Sequence, residues 1–256
     1  MKRYSRTLFI AAAFAAVSCS ISAAEADAPI YELRTYWTHP GRLDALLTRF
    51  REHTLALFER HGMENIIYGV PADEKDGAGG KLVYLLAHKN REAAAASWKA
   101  LVDDPEWKAV ASASEADGKI VSKLESVYLT ATDYSPAVKA DATGMQRVFE
   151  LRTYTTPEGK LSALDARFGG GETDLFENHA MRGFGYFHPM DEEDGAGRTL
   201  IYVLAHASRE AAAASWKGFR EDPDWVAMKA ETERDGRLTE KVESMFLVPV
   251  DFSPTK

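Results

Sequence analysis

The chain contains the same segment twice, and this duplication limits the folds that it can adopt. Residues 31–136 align with residues 149–254 at a constant offset of 118 without insertion or deletion, and 53 of the 106 aligned pairs are identical. A period of 118 residues is too long for a solenoid repeat and has the size of a whole domain. The sequence therefore predicts two copies of one domain, fused head to tail, that replace the two protomers of a homodimer.

Composition and net charge exclude some classes of binding partner. The 256 residues are 45% hydrophobic, which suffices for two modest cores, and the formal net charge is −8. Lysine and arginine do not cluster after the N-terminal segment. The sequence therefore argues against nucleic acid and against anionic membrane surfaces as partners. We also expect no membrane span. The composition does not decide whether the protein binds a small molecule. It also does not decide whether the tandem chain is a monomer or a homodimer.

The first 24 residues predict a signal peptide. Three basic residues precede the apolar stretch 8–17, and Ser22 and Ala24 are the small residues that a signal peptidase requires. The apolar stretch is too short to span a bilayer. We expect cleavage after Ala24 and export to the periplasm or beyond. Cys19 is the only cysteine, and lipid attachment there is the less favoured alternative.

Each repeat predicts the order β-α-β-β-α-(α)-β. In the first repeat, residues 30–37 alternate as a strand, residues 43–58 carry a helical apolar stripe, and residues 66–70, 82–87 and 120–129 predict the remaining strands. This order is the ferredoxin-like plan, whose sheet has helices on one face only. We therefore expect an α+β protein in which two tandem ferredoxin-like domains close into one intramolecular barrel.

Several short motifs resemble the NIPSNAP family. They are Tyr-Glu-Leu-Arg-Thr-Tyr, Leu-Phe-Glu-x-His, Asp-Pro-x-Trp, Lys-x-Glu-Ser-x-x-Leu and a closing Asp-Tyr-Ser-Pro. The resemblance implies the dimeric α/β-barrel superfamily, with NIPSNAP-like domains at residues 30–136 and 148–254 and a linker at 137–147. Relatives in that superfamily include cofactor-free oxygenases, lactone isomerases, haem-degrading enzymes and chlorite dismutases. NIPSNAP proteins have no well-established catalytic residues, and vertebrate members are discussed as interaction proteins, so the resemblance indicates fold better than function.

Two pairs of histidines are candidate functional residues. His61 and His179 end the first helix of each repeat, where each could act as a general base or haem ligand, or could simply bond the last helix carbonyls. His88 and His206 end the third strand of each repeat and are either ligand-binding or structural. We take His179 and His61 as candidate catalytic residues. Candidate ligand-binding residues are Tyr202, His206, Tyr154, Arg152, Tyr84 and His88.

The remaining duplicated polar residues have two interpretations. Glu32, Arg34, Lys123 and Glu125 recur in the second repeat, and the strands that carry them would let them face the barrel interior. There they would bind a charged substrate or form a buried ion network between the sheets. The duplicated tyrosines would line an aromatic cavity or serve as packing. No histidine or acidic pair has the spacing of a recognised metal motif, and we expect no metal and no cofactor.

The two repeats differ most in their first helix. Arg51-Glu52-His53 is replaced by Gly169-Gly170-Gly171, and three glycines inside a helix cost about 3 kcal/mol relative to alanine. This difference predicts a looser second repeat with the larger helix–sheet cavity, although drift of an unused copy explains it equally well. In the first case, His179→Ala should abolish ligand binding and His61→Ala should not. The sequence leaves two functions open. The protein could bind a small ligand, with acid–base or cofactor-free oxygen chemistry, or it could be a non-catalytic interaction module.

Overall fold

The computed structural model describes residues 28–141 and 143–256. The proposed signal peptide, residues 1–24, and Cys19 lie outside these ranges. Within them, no helix combines the length and the apolar character needed to cross a membrane.

Both repeats contain the same elements in the same order. A π-helical turn interrupts the first helix of each repeat, at Phe50–Thr54 and at Phe168–Glu172. The first repeat comprises β1 (Ile30–Thr38), α1 (Leu43–Arg49), α2 (Leu55–Arg60), β2 (Glu64–Pro71), β3 (Lys81–His88), α3 (Arg91–Asp103), α4 (Pro105–Ser114) and β4 (Val121–Ala131). The second comprises β5 (Val148–Thr155), α5 (Leu161–Arg167), α6 (Thr173–Asn178), β6 (Arg182–Pro189), β7 (Thr199–His206), α7 (Arg209–Glu221), α8 (Pro223–Thr232) and β8 (Lys241–Pro249).

The eight strands form one closed antiparallel barrel in the order β1-β3-β2-β8-β5-β7-β6-β4. The repeats meet at two short ladders, where Gly69 pairs with Pro249 and Leu129 pairs with Pro189. The inner face of each sheet packs against the other, and the shared interior cluster includes Tyr31, Leu151 and residues from every strand pair. The predicted fold is therefore confirmed, since each repeat covers the face that the helices of the other leave open.

Apolar side chains fill the barrel interior. The largest space among Ile67, Leu85, Leu151 and Ile201 is a cavity of about 20 Å³, too small for an organic ligand. The expectation that Glu32 and Arg34 face this interior was wrong. Because strand side chains alternate, Leu33 takes the interior position, and Glu32 and Arg34 point outward to the helix layer.

The repeats also exchange their C-terminal tails. Ser135 Oγ, at the end of the first repeat, accepts a hydrogen bond from the backbone N–H of Tyr186 at 3.0 Å. Ser253 Oγ accepts the equivalent bond from the N–H of Tyr68 at 2.9 Å. Tyr134 then donates its hydroxyl to Asp165 at 2.7 Å. The tail of each repeat, Asp-Tyr-Ser-Pro in the first and Asp-Phe-Ser-Pro in the second, therefore packs against the helix–sheet layer of the other.

The π-helical turn corrects the expectation of a regular helix through Arg51 to His53, because the turn is present in both repeats. Its glycines have specific roles in the second repeat. Gly171 has φ +132°, a conformation that side chains disfavour. A Cβ at Gly169 would lie 3.3 Å from the ring of Tyr134. The glycine run therefore permits a backbone bend and close packing of the exchanged tail.

Candidate functional site: a cleft between sheet and helices in the second repeat

A cleft of about 540 Å³ lies between the outer face of the second repeat's sheet and its helices. Strands β5 and β8 form its floor, and the π-helical turn, α7 and α8 form its walls. Its aromatic lining consists of Tyr154, Trp216, Phe219, Trp225 and Phe246. Its charged lining consists of Glu150, Arg152, Arg167, Glu172, Arg209, Arg220, Lys229 and Glu233.

Glu150 is the centre of the hydrogen-bond network at the floor. Its Oε2 accepts from Trp216 Nε1 at 2.7 Å and from His206 Nε2 at 3.0 Å. Its Oε1 accepts from Ser244 Oγ at 2.6 Å and from the guanidinium of Arg152. Burial alone would raise the pKa of Glu150, but these donors, led by His206 and Arg152, lower it to about 2. Glu150 is therefore a fixed anion that positions its neighbours.

Arg152 is held on three sides. Its Nε donates to the Tyr202 hydroxyl at 2.8 Å, and its Nη2 donates to the Tyr154 hydroxyl at 3.1 Å. Its guanidinium carbon lies 4.3 Å from the centroid of the Trp216 ring. A guanidinium with this many contacts is pre-organised, so a ligand that meets it need not order it.

Glu172 is the least expected group in the cleft. It ends the π-helical turn, is 1% exposed, and its Oε2 accepts from Arg167 Nε at 2.8 Å. Burial raises the pKa of Glu172 to about 7, although the charge of Arg167 opposes this shift. A carboxyl group with a pKa near 7 both accepts and donates protons at neutral pH, which suits general acid–base chemistry. π-Helical turns frequently occur at functional sites.

The cleft opens to the surface between α7 and α8. Arg220, Trp225, Lys229 and Glu233 line both the cleft and an adjoining surface groove of about 450 Å³. These four residues are called the mouth below.

All lining residues of the cleft belong to the second repeat, and one of them, Arg209, also contacts the first repeat. The guanidinium of Arg209 lies 4.2 Å from the centroid of the Phe246 ring. Its Nη1 donates to Asp73 of the first repeat at 3.1 Å. A contact between the repeats therefore helps to position Arg209.

The first repeat duplicates the Glu150 network but not the rest of the cleft. It has a groove of about 570 Å³ between its first helix and α4, with no strand residue in the lining, so the second repeat does not hold the larger cavity by volume. Glu32 accepts from His88 at 2.9 Å, from Trp98 at 2.7 Å and from Ser126 at 2.5 Å. It also pairs with Arg34 at 2.5 Å. At the offset of 118, however, three charged residues of the second cleft have no charged counterpart. Glu172, Arg220 and Lys229 correspond to Thr54, Val102 and Ala111.

The two candidate catalytic histidines lie outside the lining of the cleft. His179 Nε2 donates to Asp222 at 2.7 Å, and His61 Nε2 donates to Asp104 at 2.8 Å. Asp104 caps α4, and Asp222 caps α8. The hydrogen bond from His179 lowers the pKa of Asp222. Each histidine therefore ties the end of one helix to the start of another, which differs from both sequence-based interpretations.

The candidate ligand-binding residues divide into two groups. Arg152 and Tyr154 line the cleft. Tyr202 and His206 are buried beside the floor, on the neighbouring strand β7 and the same face of the sheet, and Tyr84 and His88 occupy the equivalent buried positions in the first repeat. Within residues 28–141 and 143–256, no group of three or more His, Cys, Asp or Glu is arranged to hold a metal ion.

The candidate residues predicted from the sequence included none of the four mouth residues and did not include Glu172. The alignment of the repeats could have identified three of these residues, because Glu172, Arg220 and Lys229 replace uncharged residues of the first repeat. Interpreting these replacements required knowing that the π-helical turn, α7 and α8 converge on one cleft. The two tryptophans of the lining, Trp216 and Trp225, were also not among the candidate residues.

Known structures share this architecture. The structure of a putative monooxygenase from Lactobacillus acidophilus NCFM is similar with a TM-score of 0.53 and 13% identity, covering 87% of this chain and 94% of that one. A putative monooxygenase from Fusobacterium nucleatum has a TM-score of 0.55 and 10% identity, with coverages of 88% and 93%. An anthrone oxidase-like protein has a TM-score of 0.53 and 15% identity, with coverages of 88% and 92%. At these identities the similarity shows the fold alone.

Sequence comparison identifies the family. No curated protein matches the chain at a significant level. The NIPSNAP family model matches it twice, over residues 31–136 and residues 149–254. These two matches cover most of the chain and coincide with the internal repeats. The chain therefore belongs to the NIPSNAP family and carries two tandem domains of that family.

Proposed function

We propose that this is an exported NIPSNAP-family protein that binds a small aromatic or hydrophobic molecule in the cleft of its second repeat. The observation that carries the proposal is the cleft of about 540 Å³ beside the Glu150 network. Its volume lies within the range of small-molecule sites, and its aromatic lining with a few oriented polar groups is typical of them. The filled barrel interior leaves the outer face of the sheet as the place for a ligand.

The ligand's ring is proposed to lie against Trp216, Phe219 and Phe246. Aromatic side chains favour aromatic ligands, because offset-stacked and edge-to-face contacts add to the burial of apolar area. Tyr154 and Arg152 supply hydrogen-bond donors at the floor. The pre-formed network behind them keeps these donors in place before the ligand arrives.

Acid–base chemistry is the reaction class that the cleft supports best. In this proposal, the carboxylate of Glu172 takes a proton from an acidic O–H or C–H group of the ligand. The electron pair stays on the ligand, and the positive charge of Arg152 stabilises the anion that forms. An anion of this kind is also the starting point for oxygen chemistry without a cofactor. Proteins of similar fold are described as a putative monooxygenase and as anthrone oxidase-like.

A ligand screen by thermal shift, followed by calorimetry, tests the proposal. We expect one ligand per chain. Trp225→Ala should weaken the binding at least about tenfold, because it removes an aromatic wall of the cleft. Trp107→Ala, its counterpart in the first repeat, is the matched control and should leave the affinity unchanged. The alternative, a non-catalytic interaction module, predicts that no small aromatic molecule binds with this stoichiometry.

Export is the second part of the proposal, supported by the basic start, the apolar stretch 8–17 and the small residues before Glu25. N-terminal sequencing of the protein recovered from a periplasmic fraction should give a first residue near Glu25. An intact Met1 in the cytoplasm would contradict it, and a lipid on Cys19 would favour the alternative anchor.

A further inference from the structure

We infer that the ligand of the second cleft carries an anionic group on its aromatic part, and that Arg220 and Lys229 bind this group at the mouth. The inference rests on the proposed function and specifies the chemical class of the ligand. A ring with one carboxylate is the simplest molecule that fits.

The cleft contains more positive than negative charge. Five cationic and three anionic side chains line it. Three of the cations are already compensated by carboxylates. The pairs are Arg152 with Glu150, Arg167 with Glu172 and Glu233, and Arg209 with Asp73.

The other two cations lack such partners. In the part of the chain that the structure describes, neither Arg220 nor Lys229 has a carboxylate within 4.0 Å or a side-chain hydrogen bond. They lie on different helices, α7 and α8, and both border the opening. Two uncompensated cations at one opening attract an anion, although the net charge of the whole chain is −8.

Comparison with the first repeat indicates that the two cations are specific to the second cleft. Its counterparts of Arg220 and Lys229 are Val102 and Ala111. The Glu150 network, by contrast, is duplicated in full around Glu32. The structural network is therefore common to both repeats, while the cations at positions 220 and 229 have no charged counterpart at positions 102 and 111.

The geometry orients the ligand. Phe246 and Trp216 lie toward the floor, and the mouth lies between the helices, so the ring enters first and the anionic group stays at the opening. There it remains partly hydrated, which keeps the cost of desolvating it small. Arg220 can also bind a carboxylate with two parallel hydrogen bonds.

The test compares 2-naphthoate with 2-naphthamide, which keeps the ring and lacks the charge. Binding is measured by calorimetry and tryptophan fluorescence with the full mature chain. We expect 2-naphthoate to bind about tenfold more tightly at low salt and to lose this advantage as the ionic strength rises. Arg220→Val and Lys229→Ala, which introduce the first-repeat residues, should each weaken naphthoate binding about two- to fivefold and leave naphthamide unchanged.

Lys217→Ala is the control, because Lys217 is an exposed cation of α7 that does not line the cleft. It should leave both affinities unchanged. Equal affinities for the two probes, or equal losses in Lys217→Ala and Lys229→Ala, would overturn the inference while the proposed function stands. Binding of neither probe would reject both.

Discussion

Glu172 and Arg167 form a buried ion pair in the wall of the second cleft, with 2.8 Å between Oε2 and Nε. The first repeat has Thr54 at the position of Glu172. Its arginine, Arg49, instead contacts Glu115 at 3.4 Å. Only the second repeat therefore places a buried carboxyl group at the π-helical turn, and burial raises the pKa of that group to about 7.

This raised pKa predicts a pH-dependent stability. The folded protein holds a proton on Glu172 that the unfolded chain releases near pH 4.5, so the associated stabilisation is complete below that pH. It is lost as pH rises toward 7, and the full change is on the order of 3 kcal/mol. Urea denaturation of the wild type should show stability falling across this window relative to Glu172→Gln.

The neutral glutamine is the proper comparison, because it keeps the shape and cannot titrate. Glu150 and Glu32 do not interfere, since their pKa values are lowered to about 2 and their effects arise at lower pH. A wild-type profile parallel to that of Glu172→Gln between pH 4.5 and 7 would show that Glu172 is ionised throughout.

Gly171 provides a test of the π-helical turn. Gly171→Ala should destabilise the protein by about 1 kcal/mol or more, because φ +132° disfavours a side chain and the new Cβ would lie 3.2 Å from Met228. Gly170→Ala is the matched control, since a Cβ there meets no atom within 4 Å. Chemical denaturation measures both variants. Equal effects would show that the bend at Gly171 is not required.

The exchange of tails and strands predicts the behaviour of an isolated repeat. A fragment of residues 25–140 exposes the inner face of its sheet and leaves the ends of β2 and β4 without partners. We expect it to form a homodimer or to aggregate. Analytical ultracentrifugation decides the question, and a stable, soluble monomer would contradict the interlocked barrel.

The sequence predicted the fold well because the fold depends on features that recur with a regular period. The alternation in residues 30–37, the helical apolar stripe in residues 43–58 and the 118-residue offset are regular sequence features that the structure preserves. The predicted orientation of Glu32 failed because alternation identifies two faces without identifying the inner one. Glu172 was missed because its importance arises from the π-helical turn and from Arg167 beside it, and neither contact is visible in the order of residues.

The histidines at the ends of α2 and α6 have unequal expected effects on binding. His179 reaches the cleft indirectly, because Asp222 caps α8, which carries Trp225 and Lys229. His179→Ala should therefore weaken ligand binding through the position of α8, whereas His61→Ala should destabilise α4 without affecting affinity. Titration calorimetry of both variants, with circular dichroism as a folding check, measures this. Equal losses of affinity in both would place the ligand elsewhere.

The most direct test of the central claim, that the second repeat alone holds the ligand, is fluorine NMR of protein labelled with 5-fluorotryptophan. The chain has five tryptophans, and single Trp→Phe variants assign each resonance. With 2-naphthoate added, the signals of Trp216 and Trp225 should shift, because both residues line the second cleft. Those of Trp98 and Trp107, their counterparts in the first repeat, should stay in place. Equal shifts in both pairs, or shifts confined to Trp98 and Trp107, would contradict the account.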